Sequence, residues 1–173
     1  MHLRELLEQQ VLCASYSIAQ SGFGGTGGGG EFVMAGRYNT IAVEKRGEVE
    51  WLTLNRPDAL NAITTEMAGE LNDYFGALYH DRSTRIVVLR GAGRAFCAGL
   101  DIKDHGSRDP AAVPFGGGFG FQGFLADVYI KMRRCPQPII ALVHGAACGG
   151  GFAFALASDI RIAVIGAGGP AAP

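Results

Sequence analysis

The sequence has no excess of positive charge. Fifteen Lys and Arg stand against sixteen Asp and Glu, for a formal net charge of −1. No dense basic stripe or arm is present to neutralise phosphates, which argues against a nucleic-acid binder. Cysteine is also scarce: Cys13, Cys97, Cys135 and Cys148 show neither CxxC spacing nor a compact framework, so no disulfide scaffold is expected and a reducing cytosol is the default. No apolar run approaches the roughly 20 residues of a membrane span. The best candidate, Val11–Ala19, is short and carries Ser15, Tyr16 and Ser17, and Glu5 and Glu8 spoil the basic start of a signal peptide. Common catalytic signatures are missing as well. There is no Walker GxxxxGK[ST], no HExxH and no GxSxG. His2, His80, His105 and His144 are scattered, so no metal site is expected, and Ser158 reads as a helix-end residue rather than a nucleophile.

What is abundant is apolar surface and glycine. Of 173 residues 48% are hydrophobic and 18% charged, enough for one domain with its own core and too apolar for a chain disordered throughout. Fifteen of the 27 glycines fall in three stretches, 22–30, 116–123 and 166–169. Leu3, Leu6, Leu7, Val11 and Ala14 recur at helical spacing ahead of the first stretch. Gly22–Gly30 reads as a flexible linker, so residues 1–36 are expected to form an N-terminal extension, with Met34 a candidate start and proteolysis expected near the tract.

From residue 37 the pattern becomes regular. Ile41–Arg46 and Glu48–Asn55 predict two strands around an Arg46-Gly47-Glu48 turn, and Pro57 stops the second. Thr64 or Thr65 caps a helix with Met67, Leu71, Tyr74, Phe75 and Leu78 on one stripe. Arg85–Arg90 is a strand apolar on both faces, as expected where helices cover it. A turn-rich stretch to Gly123 follows, then a helix marked by Phe121, Phe124, Leu125, Val128 and Met132 that Pro136 and Pro138 end. Ile139–Val143 is another buried strand, Gly149–Gly151 opens a small-residue helix through Ala157, and Ile160–Val164 is a further strand. Strands alternating with helices predict an α/β fold.

Two glycine-rich corners follow apolar strands: Gly91-Ala92-Gly93-Arg94-Ala95-Phe96-Cys97-Ala98-Gly99-Leu100-Asp101-Ile102-Lys103, and His144-Gly145-Ala146-Ala147-Cys148-Gly149-Gly150-Gly151-Phe152. Glycine lets a backbone approach a ligand closely, and the first N–H groups of a helix are unpaired donors. Read alone, such corners fit either tight turns with close helix packing or an oxyanion hole. GxGxxG spacing also occurs at Gly22, Gly24 and Gly27 and at Gly118, Gly120 and Gly123, but neither match follows a strand, so a dinucleotide site is not expected.

At these corners the sequence resembles the enoyl-CoA hydratase/isomerase, or crotonase, family. Leu54-Asn55-Arg56-Pro57-Asp58-Ala59-Leu60-Asn61-Ala62 is similar to its adenine-side loop. Phe96-Cys97-Ala98-Gly99-Leu100-Asp101-Ile102 resembles its first oxyanion segment, and Gly145-Ala146-Ala147-Cys148-Gly149-Gly150-Gly151 its second. The resemblance covers about residues 37–164. It implies a crotonase-type (ClpP/crotonase) ββα spiral, an acyl-CoA thioester as substrate, and no cofactor beyond the coenzyme A of that substrate. It further implies an oxyanion hole made by the backbone N–H groups of Leu100 and Gly150, aimed into one cavity. Asp58, Ala59, Leu60 and Ala98 would flank the adenine, Arg94 and Lys103 would meet phosphates, and Asp101 and Ile102 would line the substrate or order the turn.

There are departures from the family pattern. The first of the two glutamates that hydratases of this family use falls at Ala153, and the second would lie after Ile160–Val164, where the sequence runs Ile165-Gly166-Ala167-Gly168-Gly169-Pro170-Ala171-Ala172-Pro173. Residues 165–173 therefore read as a non-homologous tail on a spiral incomplete at the C-terminus, truncated or frame-shifted near residue 164. The expectation is a family member that polarises a thioester carbonyl with little hydration, prone to self-association where a family trimer or hexamer would otherwise form. A non-catalytic acyl-CoA-binding or interaction protein is the alternative.

Overall fold

The computed structural model describes residues 38–105 and 118–164. The N-terminal helix and glycine linker expected before residue 37 and the tail after Val164 lie outside the described residues. Five strands form one sheet in the order β1 (Ile41–Arg46), β2 (Val49–Leu54), β3 (Ile86–Gly91), β4 (Ile139–Val143) and β5 (Ile160–Ala163). The first pair is an antiparallel hairpin turned by Gly47 at φ 62°, a left-handed conformation that glycine adopts without steric cost. All later pairs are parallel and are joined through helices, as parallel neighbours require. The helices are α1 (Thr65–Leu78), α2 (Ile102–His105), α3 (Gly118–Arg134) and α4 (Gly150–Ala157).

The core lies between one sheet face and the stripes of α1 and α3. Leu52, Leu89 and Ala141 sit side by side in register across β2, β3 and β4, each at most 1% exposed. Against this face α1 buries Met67, Leu71, Tyr74, Phe75 and Leu78, the predicted stripe, and α3 buries Phe121, Leu125, Val128 and Met132. Thr64 caps α1, its side chain accepting from the Met67 N–H at 3.1 Å, which satisfies one of the orphan donors of the first turn.

The opposite face follows the alternate register. Trp51, Val88, Ile140 and Ile160 form one row, and Thr53, Arg90, Leu142 and Ile162 the next. Arg46 and Arg90 each place a guanidinium 5.1 Å from the Trp51 ring centroid, a cation–π arrangement in which Arg46 stays exposed while Arg90 is partly buried and donates to the Thr53 hydroxyl at 3.0 Å. Val87, Val88 and Leu89 are all buried, as the apolar run of β3 predicted, whereas Ile160 and Ile162 on β5 stay 50% and 37% exposed. Cover on both faces is thus confined to the middle of the sheet.

One boundary needs correction. The stretch to Gly123 was expected to be turn, yet α3 already begins at Gly118. Gly118, Gly120 and Gly123 are therefore helical, at a propensity cost of about 1 kcal/mol each relative to alanine. Burial of the stripe that starts at Phe121 outweighs that cost. The GxGxxG spacing there lies inside a helix and not in a strand-to-helix turn.

A carboxylate ties the start of the sheet to α1. Glu70 accepts from the N–H groups of Asn39, Thr40 and Ile41 at 2.5, 2.9 and 3.1 Å. Replacing it leaves those donors without a protein partner, so Glu70→Ala is expected to cost about 2 kcal/mol, read as a lower urea midpoint at unchanged m-value.

Candidate active site

The site grows from two strand ends. β3 and β4 are parallel neighbours, with Val87 opposite Ile139 and Arg90 opposite Leu142, so the segments leaving them start side by side. The first leaves through Gly91, where a Cβ would lie 2.3 Å from the Phe96 carbonyl oxygen and 2.4 Å from that of Ala95. No side chain fits there. The turn coils back on its own strand and is held by Asn61, which is fully buried. Asn61 Nδ2 donates to the carbonyls of Ala92, Ala95 and Phe96 at 2.8, 2.8 and 3.2 Å, while its Oδ1 accepts from the Arg56 N–H at 2.9 Å. One amide thus locks the 55–61 loop to the first corner.

The loop itself turns through Pro57–Ala59, a single 3-10 turn, and then through Leu60 and Asn61 at φ 52° and 56°. A positive φ is uncommon outside glycine and is best tolerated by Asn or Asp. Asn61 sits inside the recognised motif, and its role as a hub was missed in the sequence. An asparagine beside a turn was the available signal, but the partners it would find were not readable.

Residues 97–101 then run as a short extended segment between two others. Cys97 bridges Ala147, its N–H donating to the Ala146 carbonyl at 2.9 Å and its carbonyl accepting from Cys148 at 3.0 Å. Ala98 donates to the Leu60 carbonyl at 3.0 Å, Ile63 to Gly99 at 2.8 Å, and Asp101 to Ile63 at 2.9 Å. Because Ile63 engages the groups that flank Leu100, the N–H of Leu100 itself faces the other way, as backbone groups alternate along an extended segment. That is the side of the second corner.

The second corner presses against the first at backbone distance. A Cβ on Gly145 would lie 2.2 Å from the Arg94 carbonyl oxygen, and one on Gly151 2.3 Å from that of Cys97. Gly99, at φ 95°, would carry its Cβ 2.9 Å from the Cys148 oxygen. Gly150 opens α4, its carbonyl accepting from the Tyr129 hydroxyl at 3.1 Å. The N–H groups of Leu100 and Gly150 take part in none of the hydrogen bonds that knit these segments together.

The other sequence-predicted residues divide into two groups. Asp58, Ala59 and Leu60 share one loop with Asn61, and the Leu60–Ala98 hydrogen bond brings Ala98 to them. Arg94 is exposed, as are Ile102 (83%) and Lys103. Neither cationic side chain makes a hydrogen bond or ion pair with a described residue. Asp101 is already committed: its carboxylate accepts from Arg56 Nη1 and from the Lys103 N–H, both at 3.0 Å. Burial pushes its pKa up, but the Arg56 guanidinium and the N–H groups of the turn outweigh this and hold it below the usual carboxylate range. It therefore orders its turn. Cys97 is no nucleophile, since burial pushes its thiol up to about 11. The Ser158 hydroxyl donates to the Phe154 carbonyl at 2.9 Å, which makes it the helix-end residue expected. Among the described residues no three of His, Cys, Asp and Glu gather to hold a metal ion, and no helix is long and apolar enough to cross a membrane.

A ββα succession whose parallel strands deliver two interlocked glycine corners to one edge of the sheet is the architecture of crotonase-fold proteins. Solved structures place the chain there. It superposes on Pseudomonas aeruginosa AtuE with a TM-score of 0.64 at 39% identity, covering 72% of this chain and 48% of that one. For the enoyl-CoA hydratase of Mycobacterium smegmatis the values are 0.62, 35%, 72% and 48%. A profile of the enoyl-CoA hydratase/isomerase family matches residues 44–167. The Mycobacterium bovis protein named "Probable enoyl-CoA hydratase echA12" is 36% identical over 76% of this chain and 48% of its own. The 1,2-epoxyphenylacetyl-CoA isomerase of Escherichia coli is 38% identical over 65% and 42%. The chain belongs to the enoyl-CoA hydratase/isomerase family, and it spans about half the length of the curated relatives it matches.

Two outcomes follow from the corner's construction. Asn61→Ala strands three carbonyls and one N–H, so it is expected to cost about 3 kcal/mol in denaturant unfolding. The Asp101 carboxylate has a depressed folded pKa, so its stabilisation is present above the unfolded value of about 3.9 and is lost as pH falls through the folded one. The gap in urea midpoint between the wild type and Asp101→Asn should therefore be open at pH 6 and narrow progressively as pH drops below about 4.

Proposed function

We propose that the chain binds an acyl-CoA thioester with its carbonyl oxygen between the two corners, polarised by the backbone N–H groups of Leu100 and Gly150. The observation that carries this reading is the abutment of Gly99 on Cys148, with a would-be Cβ only 2.9 Å from its oxygen, beside two N–H groups that no hydrogen bond among the described residues uses. A thioester carbonyl gains negative charge as it reacts. Fixed donors aimed at that charge lower the barrier, by about 2.7–4 kcal/mol for each donor. Gly150 adds the positive end of α4, since its N–H is among the helix's first. The adenine lies against Asp58, Ala59, Leu60 and Ala98. Arg94 and Lys103, exposed and unengaged by described residues, meet the phosphates, and exposed Ile102 lies along the acyl-pantetheine path.

Proton transfer is less well provided for. The two carboxylates that follow the first corner are occupied: Asp101 by Arg56 and Lys103, and Asp104 by the N–H and hydroxyl of Thr65, at 2.7 and 3.1 Å. Ala153, one turn into α4, offers no titratable group. General acid–base assistance contributes about 10²–10⁴-fold, so the described residues favour binding and polarisation over rapid hydration. The relatives named above include both hydratases and isomerases, and the reaction within that range follows from groups other than the two N–H donors. The second reading, an acyl-CoA-binding protein without turnover, is favoured by the same engagement of Asp101 and Asp104.

The test reads polarisation directly. Bound crotonyl-CoA should show its thioester carbonyl stretch lowered relative to the free ligand in difference infrared spectra. Leu100→Pro, which removes the donor at a position whose N–H enters no hydrogen bond among the described residues, should abolish most of that shift while leaving measurable affinity. A bound ligand with an unshifted carbonyl would overturn the oxyanion reading. Hydration followed in parallel by loss of the enoyl-thioester absorbance separates the two readings.

A further inference from the structure

A groove of about 560 Å³ lies between the end of α1 and the last turn of α3, lined by Phe75, Gly76, Tyr79, His80, Lys131 and Arg134. It is at the opposite end of the sheet from the glycine corners, since α1 and α3 run into the starts of β3 and β4 while the corners follow their ends. Gly76 opens it: a Cβ there would meet only Lys131 Nζ, at 3.9 Å. Phe75 forms the floor and Tyr79, 54% exposed, the rim, its ring edge-on to His80 with centroids 5.1 Å apart.

Two cations line this space, and neither is in an ion pair with a described residue. Lys131 Nζ is drawn across the groove by the Asn72 carbonyl at 3.1 Å. Arg134, one turn further along α3, makes no hydrogen bond or ion pair with a described residue, whereas neighbouring Arg133 pairs with Asp159 at 2.9 Å. The acid that follows His80 is engaged elsewhere: Asp81 accepts from Ser83 and Thr84 and pairs with Lys45. The carbonyls at the end of α1 are occupied as well, since Gln137 Nε2 donates to those of Leu78 and Asp81 at 3.0 and 2.9 Å.

We propose that this groove is a second ligand site, separate from the acyl-CoA site, for a small aromatic anion: a planar ring bearing a phosphate. The ring lies over Gly76 against Tyr79 and Phe75, where offset or edge-on contact is favourable. The phosphate sits between Lys131 and Arg134, which supply charge-assisted hydrogen bonds. The volume is within the range of about 300–1,000 Å³ usual for small-molecule sites. The competing explanation is that basic residues in the last turn of α3 only complement its dipole, which predicts weak anion binding indifferent to the ring.

Phenyl phosphate titrated into the isotope-labelled full chain, read by amide chemical shifts, separates the two. Saturable shifts are expected at Gly76, Tyr79, His80, Lys131 and Arg134, with inorganic phosphate and benzyl alcohol each binding at least about tenfold more weakly. Arg134→Glu should weaken phenyl phosphate by about tenfold and Arg134→Lys restore most of it. Tyr79→Ala should erase the preference for phenyl phosphate over phosphate, and it serves as the second variant if a charge reversal disturbs the fold. Equal affinity for inorganic phosphate, an unchanged affinity in Arg134→Glu, or no saturable shift at these residues would overturn the proposal.

Discussion

Backbone-to-backbone contact between two turns is the constraint on which the rest of this structure depends. Where Gly145 meets the Arg94 carbonyl and Gly151 meets that of Cys97, a methyl group would fall 2.2 and 2.3 Å from an oxygen, far inside any tolerated approach. Only glycine permits the contact. Once it is made, Cys97 can exchange hydrogen bonds with Ala146 and Cys148, and residues 97–101 become a strand held on both sides. The orientation of the Leu100 N–H is a by-product of that arrangement. No side chain aims it.

The sheet supplies the proximity and Asn61 the stiffness. Parallel strands in register bring their carboxyl ends together, which is why sites in α/β folds collect at that edge. Adjacent strand ends still leave loops free to splay. Asn61 prevents this by hydrogen-bonding four backbone groups from two loops, its two N–H hydrogens shared among three carbonyls and its oxygen accepting from Arg56. A buried amide paired in this way is specific in a manner that apolar contact is not, because any rearrangement leaves a polar group unpaired in a low-dielectric interior. The ion pair between Arg56 and Asp101, at 3.0 Å, adds a second tie between the same loops. It is partly exposed, and so weaker.

Much of the fold was legible because it rests on periodicity. The α1 stripe, the hairpin, both buried strands and the small-residue α4 were readable from spacing alone, and their ends shift by a residue or two where fraying sets the limit. The start of α3 was misread because glycine is a poor helix former and its local signal outweighed a stripe that begins only at Phe121. At the site, the glycines and the motif around Leu100 and Gly150 were legible through resemblance. The part played by Asn61 was not, since its partners lie 31 to 35 residues away and no local pattern encodes them. Asp101 is the mirror case: the sequence allowed it either to line the substrate or to order its turn, and its partner Arg56, 45 residues distant, ties it to the turn.

Main-chain donors and side-chain acids differ in what disturbs them. A backbone N–H stays in place through any change at Leu100 that keeps its φ and ψ, so the capacity to polarise a carbonyl is a property of the fold. An acid or base is a property of one residue and vanishes with it. This asymmetry lets hydratases and isomerases related to this chain at 36–38% identity share one fold while carrying different reactions. On the proposed reading, two donors at about 2.7–4 kcal/mol each would outweigh an acid–base contribution of about 10²–10⁴-fold, which is roughly 3–5 kcal/mol. On the same reading, a chain that keeps the corners while its nearby carboxylates are held in structural pairs would keep the main-chain part of that stabilisation and lack the side-chain part. In such an architecture the choice of reaction would rest with whichever proton-transferring group reaches the carbons beside the polarised carbonyl.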